Sequence, residues 1–162
     1  MHKQRPIVAV AFALMGMLGP GCSFIRNDDL NQAALAGDQA RCEVLLSKGA
    51  NVNGAGMHGM RPVMSAAEGG NLQTVRFLVA KGADVNAHNE SGSALMWAVD
   101  ADNAEMVRFL ILNGAEPTWT NALGETALDF AHRKQATDLI RLLEKEHTKA
   151  EHASGGNGGQ RR

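Results

Sequence analysis

The sequence predicts an all-α fold: about four helix–turn–helix units, near-copies of one another, stacked side by side into an α-solenoid. Three observations predict it. Lys48-Gly-Ala-Asn-Val-Asn53 returns 33 residues later as Lys81-Gly-Ala-Asp-Val-Asn86, and Asn113-Gly114-Ala115-Glu116 follows after a further 32. An apolar helical segment accompanies each turn of the period: Cys42-Glu-Val-Leu-Leu46, Val75-Arg-Phe-Leu-Val79, Val107-Arg-Phe-Leu-Ile111 and Ile140-Arg-Leu-Leu143. Composition agrees, with 44% hydrophobic residues but only 4% aromatic, no Tyr and 18 Gly. That bias suits short, closely packed helices joined by tight turns, because small side chains let backbones approach.

The first element is an address. Lys3 and Arg5 precede the unbroken apolar run from Ile7 to Leu18, which stops at Gly19-Pro20-Gly21. A basic start followed by a run of this length reads as a secretory signal peptide over residues 1–21, since a span across a bilayer needs about 20 apolar residues. Leu18-Gly19-Pro20-Gly21-Cys22 then resembles a bacterial lipobox, although its Leu stands four rather than three residues before the Cys. The resemblance implies lipidation of Cys22 and, with Ser23 behind it, a periplasmic location tethered to the outer membrane. A cleaved, soluble periplasmic form is the alternative. Residues 22–28 would be a tether reaching about 25 Å when extended. With Cys22 carrying lipid, Cys42 has no partner for a disulfide. Its place in the period, matching Val75, Val107 and Ile140, marks it as a buried structural thiol.

The repeats follow at about 29–53, 54–86, 87–120 and 121–147. Arg61-Pro62-Val63-Met64-Ser65-Ala66, Ser93-Ala94-Leu95-Met96-Trp97-Ala98 and Thr126-Ala127-Leu128-Asp129-Phe130-Ala131 open three of them. With the period, these segments resemble ankyrin repeats, whose signature is Thr-Pro-Leu-His-x-Ala. None has the His and only the last keeps the Thr, so the usual hydroxyl–imidazole brace is mostly missing. The resemblance implies paired helices with projecting β-hairpin-like loops. Ala33-Ala34 and Ala66-Ala67 would let first helices pack closely. Gly37 and Gly70 would end them in the left-handed region, where Asp102 substitutes in the third repeat, and Asp38 or Asn71 would cap the second helices. Residues 148–162, ending in Ser154-Gly-Gly-Asn-Gly-Gly-Gln-Arg-Arg162, read as a disordered tail.

Solenoids of this kind resemble one another in binding proteins through a concave surface made of loop tips and first helices. Carrying that over places Met57, His58, Met60, Glu68, His88, Glu90, Asp100, Leu123, Glu125 and Arg133 on it. Met57, Met60 and Leu123 at loop tips would be apolar contacts, unless Met60 and Leu123 pack against neighbouring loops. Trp97 sits where core filling is expected. Trp119 departs from the Asn-Val-Asn pattern and would be a contact anchor.

Other chemistries find little footing. Removing Lys3 and Arg5 from the 16 basic residues leaves 14 against 17 acidic ones, a balance of −3, so no basic field favours nucleic acid. Ser65, Ser91 and Ser93 lack a nucleophile motif, and Asp100 and Asp102, two apart on a helix, point in different directions. No enzyme and no cofactor are expected. His58 and His88 with Met57, Met60 and Met64 offer a metal-handling alternative, without compact ligand spacing. The expected function is a monomeric protein-interaction module. One candidate role is an immunity protein, because exported ankyrin lipoproteins resemble antitoxins that plug secreted phospholipase effectors. The other is a periplasmic scaffold in oxidative-stress defence.

Overall fold

A computed structural model describes the backbone of residues 21–154 and the side chains of residues 27–146. The expected signal peptide therefore lies outside the described residues, as do the side chain of Cys22 and residues 155–162. Eight α-helices appear among the described residues, in pairs: α1 (Gly21–Leu35) with α2 (Gln39–Ser47), α3 (Pro62–Glu68) with α4 (Leu72–Ala80), α5 (Ala94–Asp100) with α6 (Ala104–Leu112), and α7 (Ala127–Lys134) with α8 (Thr137–Ser154). Odd-numbered helices stack in one row, α1 on α3 on α5 on α7, and even-numbered helices form a second row that touches more lightly. Small residues produce that asymmetry. Ala33, Ala34, Ala66, Ala67, Ala98 and Ala131 are almost fully buried, so the odd row closes up and becomes the inner side of the curve. The fold is the all-α ankyrin-type solenoid that the period predicts.

One core runs through all four units, from Leu30 through Met64, Leu78, Leu95, Met96, Met106 and Leu110 to Leu139 and Leu143. Cys42 is fully buried in it, and burial above all, with the nearby Asp38 carboxylate, pushes its thiol pKa up. A neutral packing thiol is the result.

Two expectations about the ends change. Residues 22–28 are helical, as the opening turns of α1, and a helix of seven residues rises only about 10 Å rather than 25 Å. At the other end α8 continues through 148–154, because Thr148-Lys-Ala-Glu-His-Ala153 contains no breaker and the glycines begin only at Gly155.

The turns follow the sequence closely. Asp102 does adopt the left-handed conformation (φ +52°) in the place of Gly37 and Gly70, and Gln135 (φ +56°) takes it in the fourth unit. Asp38 caps α2 by accepting from the Arg41 N–H at 2.9 Å. Asn71 does not cap α4. Its amide instead reaches back to the Leu35 carbonyl at 2.7 Å, tying the second unit to the first. Asn103 does both, accepting from Met106 N–H and donating to the Gly70 carbonyl. The missing signature imidazole is replaced once: Asp129 accepts from the Thr126 N–H and hydroxyl, both at 2.7 Å, while the Thr126 hydroxyl accepts from the Asp129 N–H.

Loops joining the units are clamped by asparagine. Asn53 donates to the Gly82 carbonyl and accepts from Asp84 N–H, and Asn86 repeats this on Gly114 and Glu116. Each clamp spans one period, so the Asn-Val-Asn motif is a device for fixing the next loop.

Candidate functional site

Three loops project beside the inner helices and carry most of the candidate residues. The first turns through a 3₁₀ segment at Met57–Gly59. The second pairs β1 (His88–Asn89) with β2 (Gly92–Ser93) antiparallel, with His88 opposite Ser93 and Asn89 opposite Gly92. The third closes through Asn121, whose side-chain oxygen accepts from Leu123 and Glu125 N–H at 2.9 Å. Neighbouring loops are zipped together. Asn89 donates to the His58 carbonyl, Arg61 to the His88 carbonyl, and Ala122 N–H to the Glu90 carbonyl. A row of loops held this way is a rigid surface, which lowers the ordering cost of binding.

The inner face opens into two clefts on which nine of the candidate residues gather. Met57, His58, Met60 and Glu68 share the first, about 250 Å³, with Asp28, Asn31 and Leu35 of α1. The first loop is tied to α1 there: Asp28 accepts from Met57 N–H at 2.7 Å. Gly56 is closely fitted there: a Cβ would lie 2.3 Å from the Asp28 carboxylate and 2.4 Å from the Asn31 amide, so both side chains would have to move. Met57 is 60% exposed, as expected of a contact residue. Met60 follows the alternative of packing against a neighbouring loop. It is half-buried against the core and accepts an Asn89 amide at its sulfur, so it supports the loop.

Glu90, Asp100, Leu123, Glu125 and Arg133 share the second cleft, about 510 Å³, together with Trp97, Asn121 and Phe130. Leu123 stands 81% exposed at its rim. The charged walls are prearranged. Arg133 donates to Glu125 at 2.9 Å and lies over the Phe130 ring at 4.2 Å, while Asn121 holds the other Glu125 oxygen at 2.9 Å. Lys134 pairs with Asp100 at 3.2 Å, whereas Glu90 makes no ion pair among the described residues. Trp97 is not simple core filling. It is half-buried on the cleft floor, and its indole N–H is buried without a hydrogen-bond partner. An unsatisfied donor of that kind costs free energy until something accepts from it.

His88 and Trp119 lie apart from both, in a third pocket of about 240 Å³ with Asn86, Ser93 and Glu116. Their rings stack at 4.7 Å with a tilt of 37°. Trp119 is half-buried there and packs against the core, so it is less free as an anchor than its departure from the repeat pattern suggests.

Leu35, Trp97 and Phe130 are cleft residues that sequence reasoning missed. The signal was present in the period: Leu35, Glu68, Asp100 and Arg133 recur at intervals of 33, 32 and 33, and Ser65, Trp97 and Phe130 form the column beside them. Among the described residues no group of three or more His, Cys, Asp or Glu could hold a metal ion, and His58 and His88 lie on different loops. No helix among the described residues is long and apolar enough to cross a membrane.

Comparison with known proteins agrees with this architecture. A family model described as ankyrin repeats, in three copies, matches residues 30–121. The ankyrin repeat and KH domain-containing protein mask of Drosophila melanogaster is 42% identical over 62 residues, which is 38% of this chain and 2% of that protein. Repeats of this type are protein–protein interaction modules, and nothing in the site points to catalysis. With its 33-residue period, its two rows of helices and a family match over more than half its length, the chain belongs to the ankyrin-repeat family.

Proposed function

We propose that the chain is exported to the bacterial envelope, held at the periplasmic face of the outer membrane by lipid on Cys22, and captures a protein there through its inner face. The observation that carries the binding surface is the pair of large apolar side chains, Met57 and Leu123, standing exposed at the rims of two preformed clefts. Exposed apolar tips gain nothing from the core, and a rim of this kind is what interface anchors use. The basic start, the apolar run 7–18 and Cys22 support the envelope location.

The partner we propose is a secreted phospholipase effector, with this chain as its immunity protein. A lipase mouth is apolar and a basic rim would suit acidic walls, and the second cleft carries exposed Leu123 together with the carboxylates of Glu90, Asp100 and Glu125. Capture on the immobilised chain from envelope and secreted fractions, followed by a phospholipid-hydrolysis assay of what is retained, tests this. A lipase that is retained and inhibited at equal stoichiometry is expected, with retention lost in the Met57→Ala, Leu123→Ala double variant. A retained protein without lipase activity would remove the immunity role, and retention unchanged by the variant would remove the inner face. Cys22→Ala should move the chain from membranes washed in high salt to the soluble fraction.

A further inference from the structure

The even-numbered helices carry a feature that partner capture at the inner face does not use. Val44, Phe77 and Phe109 occupy the same helical position in α2, α4 and α6, at intervals of 33 and 32, and so form a column along the back of the first three units. Leu112 lies one turn beyond Phe109 and is 85% exposed, and Val44 is 49% exposed. Phe77 and Phe109 are half-buried. None of these four residues lines either inner cleft or the pocket of His88 and Trp119.

Charge on this back is opposite to that on the rest of the molecule. The three helices and their C-terminal caps carry Arg41, Lys48, Arg76, Lys81 and Arg108 against Glu43 and Glu105, a balance of +3, although Arg41 also reaches Asp29 of α1 at 3.8 Å. The other described residues, 27–146 without these helices and caps, carry five basic and fourteen acidic side chains, a balance of −9. The basic groups sit beside the apolar column. Arg76 lies 4.9 Å from the Phe109 ring and pairs with Glu105 at 3.0 Å, and Lys81 lies 5.4 Å from the Phe77 ring. Long basic side chains on aromatic faces keep their charge outward while their stems cover apolar surface.

We infer that the backs of α2, α4 and α6 dock on an anionic phospholipid surface. Charge complementarity selects this occupant: exposed Leu112 and Val44 stand among side chains with a net excess of cations. A headgroup layer needs only apolar side chains that enter the interface beside cations that meet its phosphates. The geometry is also consistent with partner capture: with the outer curve on the lipid, the inner clefts face away from it. In α8 the column continues as Leu142, 33 residues beyond Phe109, but over residues 137–146 Asp138, Glu144 and Glu146 outnumber Arg141 and Lys145, so the basic part of the ridge is confined to the first three units.

Co-sedimentation of the full chain bearing Cys22→Ser tests the inference, with vesicles of phosphatidylglycerol mixed into phosphatidylcholine and with phosphatidylcholine alone. Partition onto the anionic vesicles should exceed that onto neutral ones and fall in high salt. Leu112→Ser with Arg108→Gln, both on the exposed back, should reduce anionic partition about tenfold. Met57→Ser with Leu123→Ser should leave it unchanged. Because residues 1–21 are common to every variant, their own affinity for lipid cancels when the variants are compared with the parent on the same vesicles. Equal partition of the back variant and the parent overturns the inference, as does equal binding to neutral and anionic vesicles. An acidic protein as the true occupant would give that result. Loss of capture by the inner-face variant is a separate reading and does not move this one.

Discussion

The joint between the second and third units and the joint between the third and fourth are built differently. At the first, Asn86 grips the following loop by donating to the Gly114 carbonyl and accepting from Glu116 N–H. At the second, the matching place is Thr118, followed by Trp119, and no such clamp forms. The reason lies further along the chain. A clamp needs a loop to hold, and after α7 the chain enters α8, which runs on as helix to Ser154 without turning into a further loop. The polar constraint ends where its target ends, and the position beside it is released for an aromatic ring that stacks on His88.

This difference can be broken from either side. The largest effect should come from removing both working clamps: Asn53→Ala with Asn86→Ala deletes four hydrogen bonds at two joints and should cost roughly 2–4 kcal/mol in urea unfolding. Thr118→Ala, at the unclamped joint, should stay within about 0.5 kcal/mol. A comparable loss there would mean the two joints are held alike. Next in size are the turns that glycine does not make. Asp102→Gly and Gln135→Gly should each raise stability by about 1 kcal/mol, read as a higher thermal midpoint, because both residues have positive φ.

The brace at Thr126 gives a smaller, pH-dependent effect. The Thr126 N–H and then its hydroxyl hold the Asp129 carboxyl below its ordinary pKa. A carboxyl depressed by folding stabilises the native state above its unfolded value near 4, and that contribution disappears as pH falls through the lower folded value. Thr126→Val keeps the N–H and removes only the hydroxyl, so it should lessen, without abolishing, the stability lost as pH falls below about 4. Asp129 is exposed, so solvent screening keeps the effect modest.

Much of the inner surface was legible in the period. Glu68, Asp100 and Arg133 share one column because the spacing of 32 or 33 residues returns each to the same place on an inner helix. Met57, Glu90 and Leu123 fall on loop tips for the same reason. The assignments that changed concern partners rather than positions. Met60 and Trp119 are where the repeat puts them, yet each turns a surface to the core. Asn71 stands at a cap position but finds a closer acceptor in the preceding unit, and no single-unit pattern contains that carbonyl.

What the sequence determined by itself was the unit, its copy number and the direction each residue takes from it, because periodicity fixes secondary structure and burial locally. Only the stacked structure decided which residues share a cleft, which charges are already paired, and that an apolar, basic ridge lies opposite an acidic face. Those properties arise between neighbours a full period apart, where side chains meet through space rather than along the chain.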